Sequence, residues 1–269
     1  MTYHWIFYAF AFLFGAVVGS FLNVCIYRLP LNKSIVFPPS ACPGCGSPIA
    51  WRDNIPLLGY LLLGGKCRSC RRPISLKYPA VELLNALLTL SLFYRFNFSI
   101  TFAALFLLCS ALVVITFIDL EHQIIPDCIS IPGIVIGFAA SFFIADLSAP
   151  HQLLGWKNSL IGIVVGGGSL LLVAYGYQLL AKKEGMGGGD IKLLAMMGAF
   201  LGWKAVPFII FVSSLVGSVV GVSLMLARKK DSQLPIPFGP FLAFGAVLFI
   251  FYGGAIIDWY FSFGASPRG

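Results

Sequence analysis

Charge is what this sequence has least of. Only 10% of its 269 residues are Asp, Glu, Lys or Arg, and only ten of them are acidic. A soluble domain carries about a quarter charged residues, so the shortage excludes an ordinary water-soluble enzyme. With 59% apolar residues and a mean hydropathy of +0.92, it also excludes a disordered tail. Histidine is rare, at three residues. No glycine-rich nucleotide turn of the soluble kind is present, and no internal repeat relates the apolar segments. No Lys or Arg precedes the first apolar run, the first being Arg28, so a cleaved signal peptide is not expected.

What the chain has instead is apolar runs near the length of a membrane span. The pattern predicts an all-α polytopic membrane protein of about eight spans, near residues 5–27, 78–95, 99–118, 129–147, 158–180, 190–203, 205–227 and 237–260. One polar segment, 28–77, interrupts them. The net charge of +8 does not point to nucleic acid, because the basic residues sit in short loops between spans. Placing the N-terminus outside puts fourteen of the eighteen Lys and Arg on the cytosolic side, as the positive-inside rule asks. The C-terminus then also lies outside. The stretch 190–203 is short, with 11 uncharged residues between Lys192 and Lys204. It is read as a crossing helix whose cytosolic end lies in a wet or thinned zone. Small-xxx-small pairs at Gly15/Gly19, Gly133/Gly137, Gly162/Gly166 and Gly217/Gly221 suit close helix packing in lipid.

The polar loop repeats one motif. Cys42-Pro-Gly-Cys45 is followed by Gly-Ser-Pro48-Ile49, and Cys67-Arg-Ser-Cys70 by Arg-Arg-Pro73-Ile74. Each C-x-x-C turn points two thiolates to one side, and two turns complete a tetrahedron, so Cys42, Cys45, Cys67 and Cys70 form a candidate structural zinc site. Disulfides do not persist on the reducing side, where the charge bias places this loop. The loop has too little apolar content to fold alone, so the metal supplies folding energy. The other cysteines, Cys25, Cys109 and Cys128, read as small core residues.

Two acids stand out. Asp119 ends an uncharged run from residue 96, and Asp190 follows Gly187-Gly188-Gly189 and opens the short span. Ionisable groups at membrane depth are costly and functional by default. The topology brings both to one membrane face, where they can meet. Paired carboxyls share a proton, the charged one activating water and the neutral one polarising a carbonyl. The bland alternatives are a helix-end acid for Asp119 and a helix cap for Asp190. Glu121, His122 and Asp127 make a poor metal set and read as a solvated turn ending at Pro126.

These motifs together resemble the bacterial type IV prepilin peptidases, which belong to the GxGD-type intramembrane aspartyl proteases. The resemblance is carried by Gly187-Gly188-Gly189-Asp190, by Asp119 with Ile125-Pro126-Asp127, by Gly19-Ser20-Phe21-Leu22-Asn23-Val24-Cys25-Ile26-Tyr27-Arg28-Leu29-Pro30, by both C-x-x-C pairs, by Asp53-Asn54-Ile55-Pro56, and by Tyr78-Pro79-Ala80-Val81-Glu82. It runs from about residue 15 to 240 in the family's order. It implies an inner-membrane enzyme that cuts the leader from type IV prepilins or type II secretion pseudopilins on the cytosolic face, using Asp119 and Asp190. It also implies N-methylation of the new N-terminus with S-adenosylmethionine. The methyltransferase part would be residues 1–95, with Asn23, Asp53, Gly65 and Glu82 as candidates for the methyl-donor site, and the peptidase part 96–269. Glu121 and Glu184 are expected to help receive the basic leader. A peptidase without methyl transfer, and a transporter or scaffold with a zinc docking loop, are the competing readings.

Overall fold

The computed structural model describes residues 4–181, 187–228, 237–256 and 259. Nine α-helices occur among them: α1 His4–Arg28, α2 Leu58–Leu62, α3 Lys77–Phe96, α4 Ile100–His122, α5 Asp127–Ala140, α6 Gly155–Ala181, α7 Gly188–Leu201, α8 Ala205–Arg228 and α9 Gly239–Leu248. Helix α9 continues through a wider π-helical turn, Phe249–Gly253. Every expected span has its helix. Five helical stretches, in α1, α4, α6, α8 and α9 with its extension, are long and apolar enough to cross a membrane, fewer than the eight expected. Helices α5 and α7 have 14 residues each. At 1.5 Å per residue they reach about 21 Å, short of the roughly 30 Å hydrocarbon core. Helix α3 carries Lys77, Glu82 and Arg95 within 20 residues. The protein is an all-helical polytopic membrane protein, and its outer helix faces are correspondingly greasy. Val17, Leu172 and Leu180 are 59%, 74% and 90% exposed, a surface that lipid, not water, would cover.

Two compact units divide the chain, residues 1–118 and 119–269. In the first, α1 and α3 run antiparallel. A Cβ on Gly15 would stand 2.7 Å from the Thr89 Cβ, and one on Gly19 would stand 2.7 Å from the Glu82 Cα. The small residues thus let the backbones meet. Polar side chains lock the pair: Asn85 Nδ2 donates to the Gly15 carbonyl at 2.8 Å, and Asn23 Nδ2 to the Tyr78 carbonyl at 3.0 Å.

In the second unit α7 is the core, with every residue from Leu193 to Leu201 buried. It lies antiparallel to α6. The backbones touch at Gly162 and Gly198, a Cβ on Gly166 would stand 2.6 Å from the Leu194 carbonyl oxygen, and Ser159 Oγ donates to the Ala199 carbonyl at 2.7 Å. On its other side α7 runs parallel to α5, with Met196 against Gly133 and Phe200 against Gly137.

Two expectations are corrected here. The fourth expected span ended at residue 147. Helix α5 stops at Ala140, and Ala145–Asp146 pairs with Ala149–Leu153 as a short hairpin, β1 and β2. Its turn is made by Asp146, whose Oδ1 accepts from the Ser148 N–H at 2.8 Å, the side-chain mimicry that lets Asp build turns. Cys25 and Cys109 are buried as expected, but Cys128 is exposed; it lies in the first turn of α5 beside the exposed Asp127.

Candidate active site and metal centre

Asp119 lies one turn before the end of α4 and is only 5% exposed. Its Oδ2 accepts a hydrogen bond from the Gly239 N–H, the first residue of α9, at 3.0 Å. The carboxyl therefore sits on a helix N-terminus, where amides and dipole favour negative charge. A Cβ on Gly239 would stand 2.7 Å from that oxygen, so only glycine allows the approach. Pro240 follows at the helix start, where its missing N–H costs nothing.

Asp190 lies in the first turn of α7, half-buried, with Gly187 as the N-cap. The structure brings the two acids together. Their carboxyls are close enough to interact electrostatically, and one side chain bridges their surroundings. Ile125 packs against Gly189, where a Cβ would stand 2.8 Å from its own Cβ, and it also reaches Gly239. Both aspartates thus stand in first or last turns of helices, held from rigid elements. One turn away, Lys192 Nζ binds both Asp127 oxygens, at 2.7 and 2.8 Å. This ion pair ties the start of α5 to the start of α7. Asp127, expected as a solvated turn residue, has this structural partner.

The depth of Asp190 is a structural finding. Gly162 stands against Gly198 and Gly166 against Leu194, an antiparallel register that sets Gly188, the first residue of α7, level with Leu172, while α6 runs on to Ala181. Those 9 further residues of α6 reach about 14 Å past the start of α7. The aspartate therefore enters at mid-height of a long apolar helix and not at its end. Glu121, at the end of α4, is exposed; Glu184 lies outside the described residues.

The four loop cysteines converge. Their sulfurs all lie within 4.8 Å of one another, and Cys42 Sγ is 3.9 Å from Cys70 Sγ. Tetrahedral ligation at about 2.3 Å sets sulfurs about 3.8 Å apart, so this donor set fits a zinc ion and could hold one. The two knuckles are copies of one another at an offset of 25 residues. Cys42 N–H donates to the Ser47 carbonyl at 2.9 Å, and Cys67 N–H to the Arg72 carbonyl at 2.9 Å. Ile49 N–H donates to the Ser40 carbonyl at 2.9 Å, and Ile74 N–H to the Gly65 carbonyl at 2.7 Å. The residue after each second cysteine is left-handed. It is Gly46 at φ 72° in one knuckle and Arg71 at φ 59° in the other. The hydroxyl and backbone of Ser47 hold the Cys45 thiol down at about 6, while burial and the neighbouring cysteine side chains push the Cys70 thiol up to about 11.

Asp53 is engaged by Arg68 through two short bonds, Nε to Oδ2 at 2.8 Å and Nη2 to Oδ1 at 2.6 Å, and this holds its carboxyl below the usual range. That fork staples the turn at 51–54 to the second knuckle. Gly65 occupies a left-handed position against the Tyr60 ring. Glu82 and Asn23 stand where α1 and α3 meet. Glu82 Oε2 accepts from the Leu57 N–H at 2.8 Å, and Asn23 Oδ1 is buried with no partner among the described residues.

Comparison with known proteins separates the cysteines from the aspartates. The bacterial peptidase A24 N-terminal domain matches residues 13–96, which hold the four cysteines, and the type IV leader peptidase family matches residues 106–222, which hold both aspartates. A prepilin leader peptidase/N-methyltransferase of Aeromonas hydrophila is 38% identical over 280 residues, covering 95% of this chain and 94% of that one. The chain belongs to the type IV leader peptidase family. Another member of the same name, from Pseudomonas aeruginosa, is 39% identical over 93% of this chain and 92% of its own. One from Myxococcus xanthus is 41% identical over 84% of this chain and 65% of its own. No solved structure matches.

Sequence reasoning passed over Gly239. Its signal was there: Gly-Pro opening the last apolar run marks a helix start, and a helix start is where a buried carboxylate finds an amide.

Proposed function

We propose that this chain cleaves the leader from type IV prepilins or type II secretion pseudopilins and methylates the amine that cleavage exposes. The observation that carries the reading is that Asp119, held by the first amide of α9, and Asp190, in the first turn of α7, stand beside two glycines, Gly239 and Gly189, that both touch Ile125. The curated relatives, whose printed name joins leader peptidase to N-methyltransferase, support both activities. In cleavage, one carboxylate takes a proton from water as its oxygen attacks the scissile carbonyl. The other, protonated, donates a hydrogen bond to that carbonyl, and the departing amine then receives a proton. The Gly239 N–H fixes the Asp119 carboxyl in place. For methyl transfer, S-adenosylmethionine would supply an electrophilic methyl group to the freed amine, and residues of the first unit would hold it.

In this reading residues 1–95 serve methyl transfer and 96–269 serve cleavage. Cys42, Cys45, Cys67 and Cys70 hold a structural zinc ion that folds the loop. The loop and the aspartates face the cytosol and both termini the outside, as the distribution of basic residues supports.

The test is incubation of the purified protein in detergent with a prepilin, with and without methyl donor, followed by mass analysis of the product. Loss of the leader, then gain of one methyl group, is expected. An uncut prepilin overturns the reading; cleavage without a methyl shift removes its second half. Gly239→Ala sharpens the test. Its new Cβ must push Asp119 aside, and a displacement near 1 Å costs about a hundredfold in rate. Unchanged cleavage by that variant would show that Asp119 is not held for catalysis.

A further inference from the structure

One cavity in the first unit has no role in the account above. It measures about 580 Å³, within the range of small-molecule sites. Its walls are the second half of α1, including Ser20 and Arg28, and the loop carrying Trp51, Asn54 and Pro56.

Behind that loop wall stands a carboxylate. Glu82 is buried, at 8% exposure. It holds the Leu57 N–H, and the Ser20 hydroxyl hydrogen-bonds it from the cavity side. Leu57 is pinned at φ 62° and ψ −50°, a conformation a leucine rarely adopts. Such strain persists only where the surroundings enforce it, and it concentrates at functional sites. The Arg28 guanidinium grips the Ser34 carbonyl at 2.9 Å and the Pro38 carbonyl at 2.7 Å, tying the strip that includes Pro38 into the cavity wall. Trp51 lines the cavity, yet it is 78% exposed. An indole left this open is a flat surface for a partner.

We propose that this cavity seats the methyl donor, a sulfonium amino acid joined to adenosine. Each part of that ligand has a counterpart. The Arg28 guanidinium faces the carboxylate, the Trp51 indole stacks on the adenine, and the Asn54 amide meets polar edges. Glu82, linked to the cavity through Ser20, is the buried counter-charge for the cationic ammonium and sulfonium groups. Asn23, Asp53, Gly65 and Glu82, the candidates from sequence, do not themselves line the cavity; Glu82 acts through Ser20. The assignment rests on the methyl-transfer half of the function proposed above.

The experiment is calorimetric titration of the full-length protein in detergent with S-adenosylhomocysteine, the demethylated product. The unaltered chain is compared with Trp51→Ala, Arg28→Met and, as a control on the same unit away from the cavity, Leu62→Ala. Loss of one stacked base costs about 1–3 kcal/mol, so Trp51→Ala is expected to weaken binding at least about fivefold while Leu62→Ala does not. Zinc content reports on folding of each variant. Should a cavity variant lose its zinc, photocrosslinking of radiolabelled S-adenosylmethionine to the unaltered chain decides the matter. Label on the peptide containing Trp51 supports the site, and label only elsewhere overturns it. Tight binding by the unaltered chain and equally by both folded cavity variants overturns the location alone. No binding by the unaltered chain overturns the location together with the methyl-transfer reading.

Discussion

Asp119→Asn and Asp190→Asn are each expected to stop leader removal while the protein still inserts and folds. The amide is nearly the size of the carboxyl, so the packing of Gly239 and Ile125 against the site survives. What is lost is the exchange of protons. An amide can neither take a proton from water nor share one with its neighbour, and general acid–base catalysis contributes about 10²–10⁴-fold. Because the two groups act as one unit, the double variant is expected to be scarcely worse than either single one. Cleavage of a prepilin followed by mass spectrometry measures this. Normal cleavage by either variant refutes the assignment. The effect should be specific to position: Glu121 is as acidic but exposed at the end of α4, so Glu121→Gln should leave the chemical step in place and alter at most leader preference.

Replacement of one loop cysteine is expected to have the second largest effect, and on a different activity. In Cys42→Ser the metal site loses one of four thiolates. Structural zinc supplies on the order of 10 kcal/mol to small domains that cannot fold without it. The loop from residue 29 to 76 has no α-helix other than the five-residue α2, and most of its residues are exposed. Without metal its two knuckles should come apart and carry the Asp53–Arg68 fork with them. Metal content should fall and protease sensitivity of the loop should rise. Methyl transfer should suffer most, because every residue placed around the two aspartates lies in the second unit, 119–269. A Cys42→Ser protein that keeps its metal and methylates fully would contradict this.

How far sequence reasoning reached depends on the range of the interaction it needed. The knuckles were legible because a C-x-x-C turn is local, and the 25-residue offset between copies repeats the same backbone bonds. The helices were legible because apolar length is local too. The hairpin at 145–153 was missed because it continues an apolar stretch and depends on a single Asx turn at Asp146. Among the described residues, fewer helices are long and apolar enough to cross than expected, for a related reason. Hydropathy marks a helix as greasy, but α5 and α7 are greasy and short, and each covers the other.

The glycine pairs show the border between the two kinds of information. Their spacing announced close packing, but not against what. Gly162 and Gly166 set α7 beside the first two thirds of α6 only. That register, and nothing visible in the stretch 187–190 by itself, carries Asp190 to mid-height of the longer helix.

The sequence by itself determined which residues are costly enough to need a purpose: four cysteines in a loop without a core, and two acids in a chain almost empty of them. These follow from composition and spacing, which are properties of the chain alone. Only the tertiary structure decided that Asp119 rests on the first amide of α9, that Ile125 closes the gap to Gly189, and that Glu82 stands behind a cavity wall. Those are contacts between residues 25 to 120 positions apart. They are set by which helix faces can approach, and a backbone must first be packed before such an approach exists.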